Sequence, residues 1–328
     1  MKEFFNLLGW KELIAIFLAL IIIRISIIIP FYAQWNLPPA ITWEGFLMFA
    51  FGLCFLMAGN NVLVKFCDEK QKVLRQETTN KLGFEIKNFP DLVRLRGVWV
   101  VLWAVGIIAC GSSFVMTKYN YFYIITGLLF VALGYSYATS LRHKFLSGNI
   151  ALSFMYALVV LSQIPHDWDF VVPYSYEFPN PMAISWVDIL YVFIFIAVLV
   201  FMLTMIKDIT GDMTNMEDDK KMNYHTFGVR LGEKNSKIAL QVMSIVFIVL
   251  AALFLCIHSD KMEFIHTLTL AVIVIGPMIY YMVMLAKAKK QTDYNDLHVF
   301  LGMIMISLIF LMFYCKYLFI FDFSGSIK

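Results

Sequence analysis

Nine apolar runs, each close to the length that crosses a bilayer, constrain this chain more than any other feature. A hydrocarbon core takes about 20 residues of helix. Inside it, every backbone N–H and C=O needs an internal partner, so continuous apolar runs must be helices. The runs are Leu13–Ala33, Trp43–Val64, Gly97–Met116, Phe122–Ser140, Ile150–Pro165, Ile184–Ile206, Ile238–Ile257, Ile265–Ala286 and Val299–Phe321. They predict an all-α, polytopic membrane protein with nine transmembrane helices in a single domain over residues 1–328. The fifth run is the shortest.

Composition excludes the alternatives. The chain is 61% hydrophobic and 15% charged, against about 45–50% and about 25% for a soluble domain. A soluble enzyme, a disordered chain and a fibre are therefore ruled out. A membrane β-barrel is disfavoured because its strands alternate and do not run continuously apolar. A net charge of +3 is too small for a nucleic-acid partner. The five cysteines form no CxxC pair and read as small buried hydrophobes. The first run is too long for a signal-peptide core and reads as the first span.

Lysine and arginine test the span count independently. The segments before span 1 and between spans 2–3, 4–5, 6–7 and 8–9 hold 2, 8, 2, 6 and 3 of them, 21 of the 26 in the chain. Lys118, Lys261, Lys316 and Lys328 fall on the other side, and Arg24 lies within span 1. The positive-inside rule then puts the N-terminus in the cytoplasm and the C-terminus outside. In a bacterium this would be the inner or plasma membrane.

Two cytoplasmic segments are long, about Lys65–Arg96 and Lys207–Ser236. Long connections are where function concentrates. Asp208 and Asp212 are four apart and would face the same way on a continuing helix. Asp219 follows, beside Glu217 and Asp218. Neighbouring carboxylates repel unless a cation sits between them, and Mg²⁺ favours oxygen ligands and bridges carboxylates to phosphates. From spacing alone, a metal site and a solvated acidic loop are equally open. Span 2 ends in Gly59-Asn60-Asn61, and Asn61, Asp68 and Arg75 are spaced by seven, which on a helix makes one polar stripe. A functional polar stripe and capping within the bundle are again equally open. Span 4 runs out through Tyr135-Ser136-Tyr137 to Arg142-His143-Lys144, and Gly148-Asn149 opens the next span. The two cations suit phosphate, but they are also the ordinary positive-inside signal. Taken together, spans 2, 4 and 6 deliver acids, amides and cations to one membrane face. A diphosphate held through Mg²⁺, with an apolar chain below it, requires that combination.

The sequence here resembles the UbiA superfamily of intramembrane prenyltransferases. Lys207-Asp208-Ile209 through Asp219-Lys220-Lys221 to His225-Thr226-Phe227-Gly228-Val229-Arg230-Leu231-Gly232 is similar to the family's second aspartate-rich motif and the signature that follows it. The style is nearest the homogentisate and chlorophyll prenyltransferase branch. Asn60-Asn61 through Asp68 to Arg75 stands where the family carries its first motif, NDxxDxxxD and a later Arg. The Tyr-Ser-Tyr to Gly-Asn stretch is similar to the segment after span 4. There are two departures: Asn61 and Val64 stand at the family's first and second Asp positions, and about three extra residues separate Asp208 from Asp219. Val64 cannot ligate, so metal binding at the first motif is expected to be weaker, or rebuilt by a neighbour such as Glu69.

The resemblance implies a nine-helix bundle with a lipid-accessible central cavity. It implies Mg²⁺ as cofactor and transfer of a prenyl group from a polyprenyl diphosphate to a lipid-soluble acceptor, with an aromatic quinone precursor first and a glycerol phosphate acceptor second. Asp208, Asp212 and Asp68 would be catalytic. Asp68, Asp208, Asp212 and Asp219 would hold metal. Asn60, Asn61, Arg75, Arg142, Lys144 and Lys207 would bind diphosphate. Tyr135 and Tyr137 would shield an allylic cation. Arg24 is expected to face the bundle interior or a polar cavity, and His258 and His266 carry no role. The rivals are a degenerate relative that binds isoprenoids without efficient turnover and, further off, a transporter, which would need polar or broken helices near the midplane.

Overall fold

In the computed structural model, residues 2–34, 39, 41–79, 89–116, 120–164, 186–258, 268–269 and 271–324 are described. They are helical apart from turns and short connections. In chain order the elements are α1 (Lys2–Leu8), α2 (Trp10–Ile23), a π-helical turn (Arg24–Ile28), α3 (Ile29–Gln34), α4 (Trp43–Thr79), α5 (Phe89–Met116), α6 (Phe122–Ser136), a second π turn (Tyr137–Leu141) and α7 (Ser147–Leu161). They continue with α8 (Trp186–Thr214), α9 (Met216–Lys221), α10 (Phe227–His258), a third π turn (Ala271–Ile275), α11 (Gly276–Lys287) and α12 (Gln291–Ser324). Lys118, Lys261, His266 and Lys328 lie outside the described residues, as does the Arg75 side chain.

Among the described residues, seven helices are long and apolar enough to cross a membrane, and Ser147–Leu161 and Ala271–Lys287 are shorter apolar helices. The helices overrun the apolar runs. The second run ends at Val64, yet α4 continues to Thr79. The segment from Lys207 to Ser236, expected as a loop, is helical over most of its length. Each residue added to an existing helix gains a backbone hydrogen bond, so polar turns can extend a membrane helix into water. The Lys65–Glu69 pair, 3.3 Å apart at i,i+4, supports that extension.

The chain divides into two compact units. The first comprises Met1–Phe17 and Ile41–Leu141. Its main contact is α4 against α5. In lipid there is no hydrophobic drive between helices, so close packing must hold them. Gly52 and Gly106 supply it. A β-carbon on Gly52 would lie 2.8 Å from Cys110 Sγ, and one on Gly106 would lie 2.7 Å from the Leu56 side chain.

The second unit comprises Leu18–Ala40 and Arg142–Lys328. Helix α8 is its hub and packs on α7, α10 and α12. Phe193, Leu203, Ile206, Phe247, Met278 and Leu301 are among its buried core. Within it, Thr210 Oγ1 and Tyr281 OH share a hydrogen bond of 2.8 Å. Glu233 accepts from Tyr294 OH at 2.8 Å and pairs with Lys237 at 3.0 Å, tying α10 to α12. Gly232 takes φ 75°, a backbone that breaks α10 and that L side chains resist. Arg24 lies in the first π turn at 1% exposure, inside the unit as the cost of charge at membrane depth demands. Large side chains such as Ile108, Ile125, Ile257 and Met303 stay exposed, as expected of surfaces that meet lipid.

Candidate active site

Helix α8 runs unbroken through Asp208 and Asp212, so both carboxylates leave the same face, one turn apart. Their partner comes from the first turns of α7. Asn149, 4% exposed, donates its Nδ2 hydrogens to Asp208 Oδ2 at 2.8 Å and to Asp212 Oδ2 at 3.0 Å. One amide carries two hydrogens, enough for one bond to each acid. It therefore draws the two carboxylates toward one point and partly offsets their repulsion. The Asp208 and Asp219 charges both bear on Asp212.

Two peptide segments pack beside this pair. His143 accepts a backbone bond from His225 N at 3.0 Å, and its ring stacks on Tyr224 with centroids 3.8 Å apart. Phe145 stacks on Phe227 at 5.4 Å, and the Arg230 guanidinium lies over the Phe145 ring at 5.0 Å. The segment before α7 is thus layered onto the segment that opens α10. Leu146 takes φ 60° where the chain turns into α7, a strained conformation for this residue type. That turn sets Asn149 against α8.

Asp219, on α9, accepts from Thr226 Oγ1 at 2.9 Å, and its carbonyl accepts from Tyr224 N at 2.9 Å. Burial raises its carboxyl above the ordinary carboxylate value. The Thr226 bond and the His143 and Arg142 charges oppose that rise, and the Asp218 charge adds to it. Gly228 lets α10 approach α8, since a β-carbon there would lie 3.3 Å from the Asp212 carbonyl oxygen. Arg142 is half-buried, Lys144 is exposed, and Lys207 is half-buried on α8 immediately before Asp208.

The first-motif residues lie on α4, in the first unit. Asn60 is 2% exposed, and its Oδ1 accepts from Trp103 Nε1 at 3.0 Å. Asn61 Nδ2 donates to Leu8 O at 3.0 Å. Asp68 is half-buried two turns further on, and Glu69 is paired with Lys65. Both amides therefore already hold hydrogen bonds within the bundle. Tyr137 is buried and Tyr135 is exposed.

Sequence reasoning singled out Asp208, Asp212 and Asp219 but gave no role to Asn149 or Thr226. The signal for Asn149 was a carboxamide at the edge of an apolar run, where a polar group needs a partner. Which partner it had depended on how α7 and α8 pack.

Among the described residues, no three His, Cys, Asp or Glu side chains are grouped to hold a metal ion. The α8–α7 donor set is two carboxylates steered by one amide. That set suits a hard cation which keeps waters and takes further oxygens from a phosphate, and it does not suit one needing a complete protein cage.

The model of the UbiA prenyltransferase family matches residues 90–304. No curated protein matches the chain. Solved structures do. A digeranylgeranylglyceryl phosphate synthase is 17% identical, with a TM-score of 0.57 over 95% of this chain and 98% of that one. A UbiA homologue from Archaeoglobus fulgidus bound to GPP and Mg²⁺ is 12% identical, with a TM-score of 0.56 over 94% and 99%. An apo UbiA homologue from Aeropyrum pernix K1 is 13% identical, with a TM-score of 0.60 over 92% and 97%. At these identities the likeness is one of fold.

Proposed function

The chain belongs to the UbiA prenyltransferase family, and from that premise we propose that it is a Mg²⁺-dependent enzyme moving a prenyl group from a polyprenyl diphosphate to a lipid-soluble acceptor. The observation that carries this is the single Asn149 amide bonded to Asp208 and Asp212 on successive turns of α8. Asp208 and Asp212 would hold the ion, and a place for Asp219, held by Thr226, among its ligands rests on the motif resemblance. When bound, Mg²⁺ supplies positive charge to the diphosphate oxygens. The A. fulgidus homologue is bound to GPP and Mg²⁺.

The chain's own residues do the rest. Arg142, Lys144 and Lys207 neutralise the diphosphate as it leaves with the electron pair of the allylic C–O bond. The acceptor forms the new bond at that carbon and gives up a proton. Holding the two substrates in place supplies much of the rate. Roles for Asn60, Asn61 and Arg75 in diphosphate binding, and for Asp68 in catalysis and metal binding, rest on the motif resemblance. We read nine spans in one domain, counting Ser147–Leu161 and Ala271–Lys287 with the seven longer helices, with the N-terminus cytoplasmic. The first acceptor choice is an aromatic quinone precursor.

Two observations favour specific variants of this reading. The digeranylgeranylglyceryl phosphate synthase among the similar folds favours a glycerol phosphate acceptor. The internal hydrogen bonds of Asn60 and Asn61 favour slow turnover at a weakened first motif. Purified protein incubated with geranylgeranyl diphosphate, Mg²⁺ and an acceptor panel, with products read by mass spectrometry, decides among them. Prenylated product that disappears with EDTA or Asp212→Ala supports transfer. Donor binding without product supports the slow variant. Neither binding nor diphosphate release refutes both.

A further inference from the structure

One turn deeper than the acids, the α7–α8 seam carries two more polar side chains. Asn149 near the start of α7 bonds to Asp208 and Asp212 near the end of α8, and the two helices pack along one another, so they run antiparallel. Ser153 lies four residues beyond Asn149, and Thr204 four residues before Asp208. Four residues is about one helical turn, roughly 6 Å of rise, so each stays on the seam face and both step in the same direction. Ser153 is 0% exposed and Thr204 is 3% exposed. Neither hydroxyl oxygen has a hydrogen-bond partner.

That state is unusual for a helical hydroxyl, which commonly donates to the carbonyl one turn back. Thr210, on the same helix as Thr204, does so at 2.7 Å, and Ser244 does so at 2.7 Å. Ser26 and Ser236 are also unpartnered, on other elements, and so is Ser147, which opens α7 two residues before Asn149 and off its face. Ser153 and Thr204 are the pair that stands on both helices whose register the acids set, each one turn below them. A buried hydroxyl left unpaired is costly, and the cost is recovered when a ligand supplies the missing bond.

The proposed donor's chemistry limits what that ligand is. The diphosphate is claimed by the acids and cations one turn above, and a prenyl tail has nothing to offer a hydroxyl. The remaining substrate is the acceptor, whose attacking group must lie next to the carbon that the diphosphate leaves. We propose that Ser153 and Thr204 form an acceptor subsite, hydrogen-bonding a hydroxyl or carbonyl group of the acceptor directly beneath the diphosphate. This rests on the prenyl-transfer reading above.

The test compares wild type with Ser153→Ala/Thr204→Val in purified, full-length protein. Calorimetry measures binding of 4-hydroxybenzoate, homogentisate and geranylgeranylglyceryl phosphate, three hydroxyl-bearing probes. Geranyl thiodiphosphate with Mg²⁺ is measured in parallel. We expect at least one acceptor probe to lose about tenfold or more in affinity, from two lost hydrogen bonds, with geranyl thiodiphosphate binding retained. The probe affected separates an aromatic from a lipid source. Because the hydroxyls have no partner in the ligand-free protein, the melting temperature should hold or rise. Ser153→Thr/Thr204→Ser keeps both hydroxyls and should keep acceptor binding.

Unchanged acceptor affinity, or no acceptor bound by wild type, overturns the subsite. So does equal loss in the hydroxyl-keeping variant, which would make the effect one of packing. A drop of several degrees in melting temperature with affinity intact would make the hydroxyls structural and also overturn it. Failure of geranyl thiodiphosphate to bind wild type refutes prenyl transfer itself, so the two failures are distinguishable.

Discussion

Asn149→Ala is the sharpest test of the acid pair. The substitution removes two hydrogen bonds, 2.8 Å and 3.0 Å long, from one amide to two carboxylates. Bonds to charged groups are worth about 1.5–3 kcal/mol each. The whole sum is not lost, because a bound cation would itself hold the acids once it arrived. What is lost is the preparation of the site before binding, when Asp208 and Asp212 would swing apart under their own repulsion. Residues that orient metal ligands typically contribute about 10–100-fold in metal affinity, or about 1.4–2.7 kcal/mol. The apparent Mg²⁺ requirement for diphosphate release, titrated at saturating prenyl diphosphate, should therefore rise about 10–100-fold in Asn149→Ala. Product formation should recover partly at high Mg²⁺. An unchanged Mg²⁺ midpoint would refute the role given to this amide. So would a loss that no Mg²⁺ concentration relieves, since that would point to misfolding, which the thermal melt of the variant reports separately.

Three further outcomes are expected. Gly134→Ala drives a β-carbon into the Asn60 side chain, and such overpacking should lower stability by about 1–3 kcal/mol in a detergent melt. Thr226→Val removes the hydrogen bond that positions Asp219 and should cut kcat/KM about 3–10-fold by the usual worth of one such bond, whereas Thr226→Ser should retain most of the activity. Tyr281→Phe breaks the buried 2.8 Å bond to Thr210 and should cost about 1 kcal/mol of stability, with the KM for prenyl diphosphate little changed.

Much of this protein is legible in its amino-acid sequence, because the relevant information is local. The apolar runs require helices in lipid whatever their arrangement. The four-residue spacing of Asp208 and Asp212 puts them on one face of any helix that continues through both, and α8 does continue. Helix ends are harder to read. Apolar content marks where lipid begins and ends, whereas helix length follows backbone hydrogen bonding, so α4 extends past Val64 to Thr79.

The tertiary structure decided what those acids and amides touch. Asn149 is 59 residues from Asp208, and no periodicity in either helix encodes their meeting. It follows from which face of α7 packs on α8 and from the turn at Leu146 that starts α7. The same holds for Asn60. Its side chain reads from sequence as a diphosphate or metal ligand, yet its oxygen accepts from Trp103 across the α4–α5 contact. A sequence states which polar groups a membrane helix carries. Helix packing decides which of them satisfy one another and which, like Ser153 and Thr204, are left to be satisfied by something else.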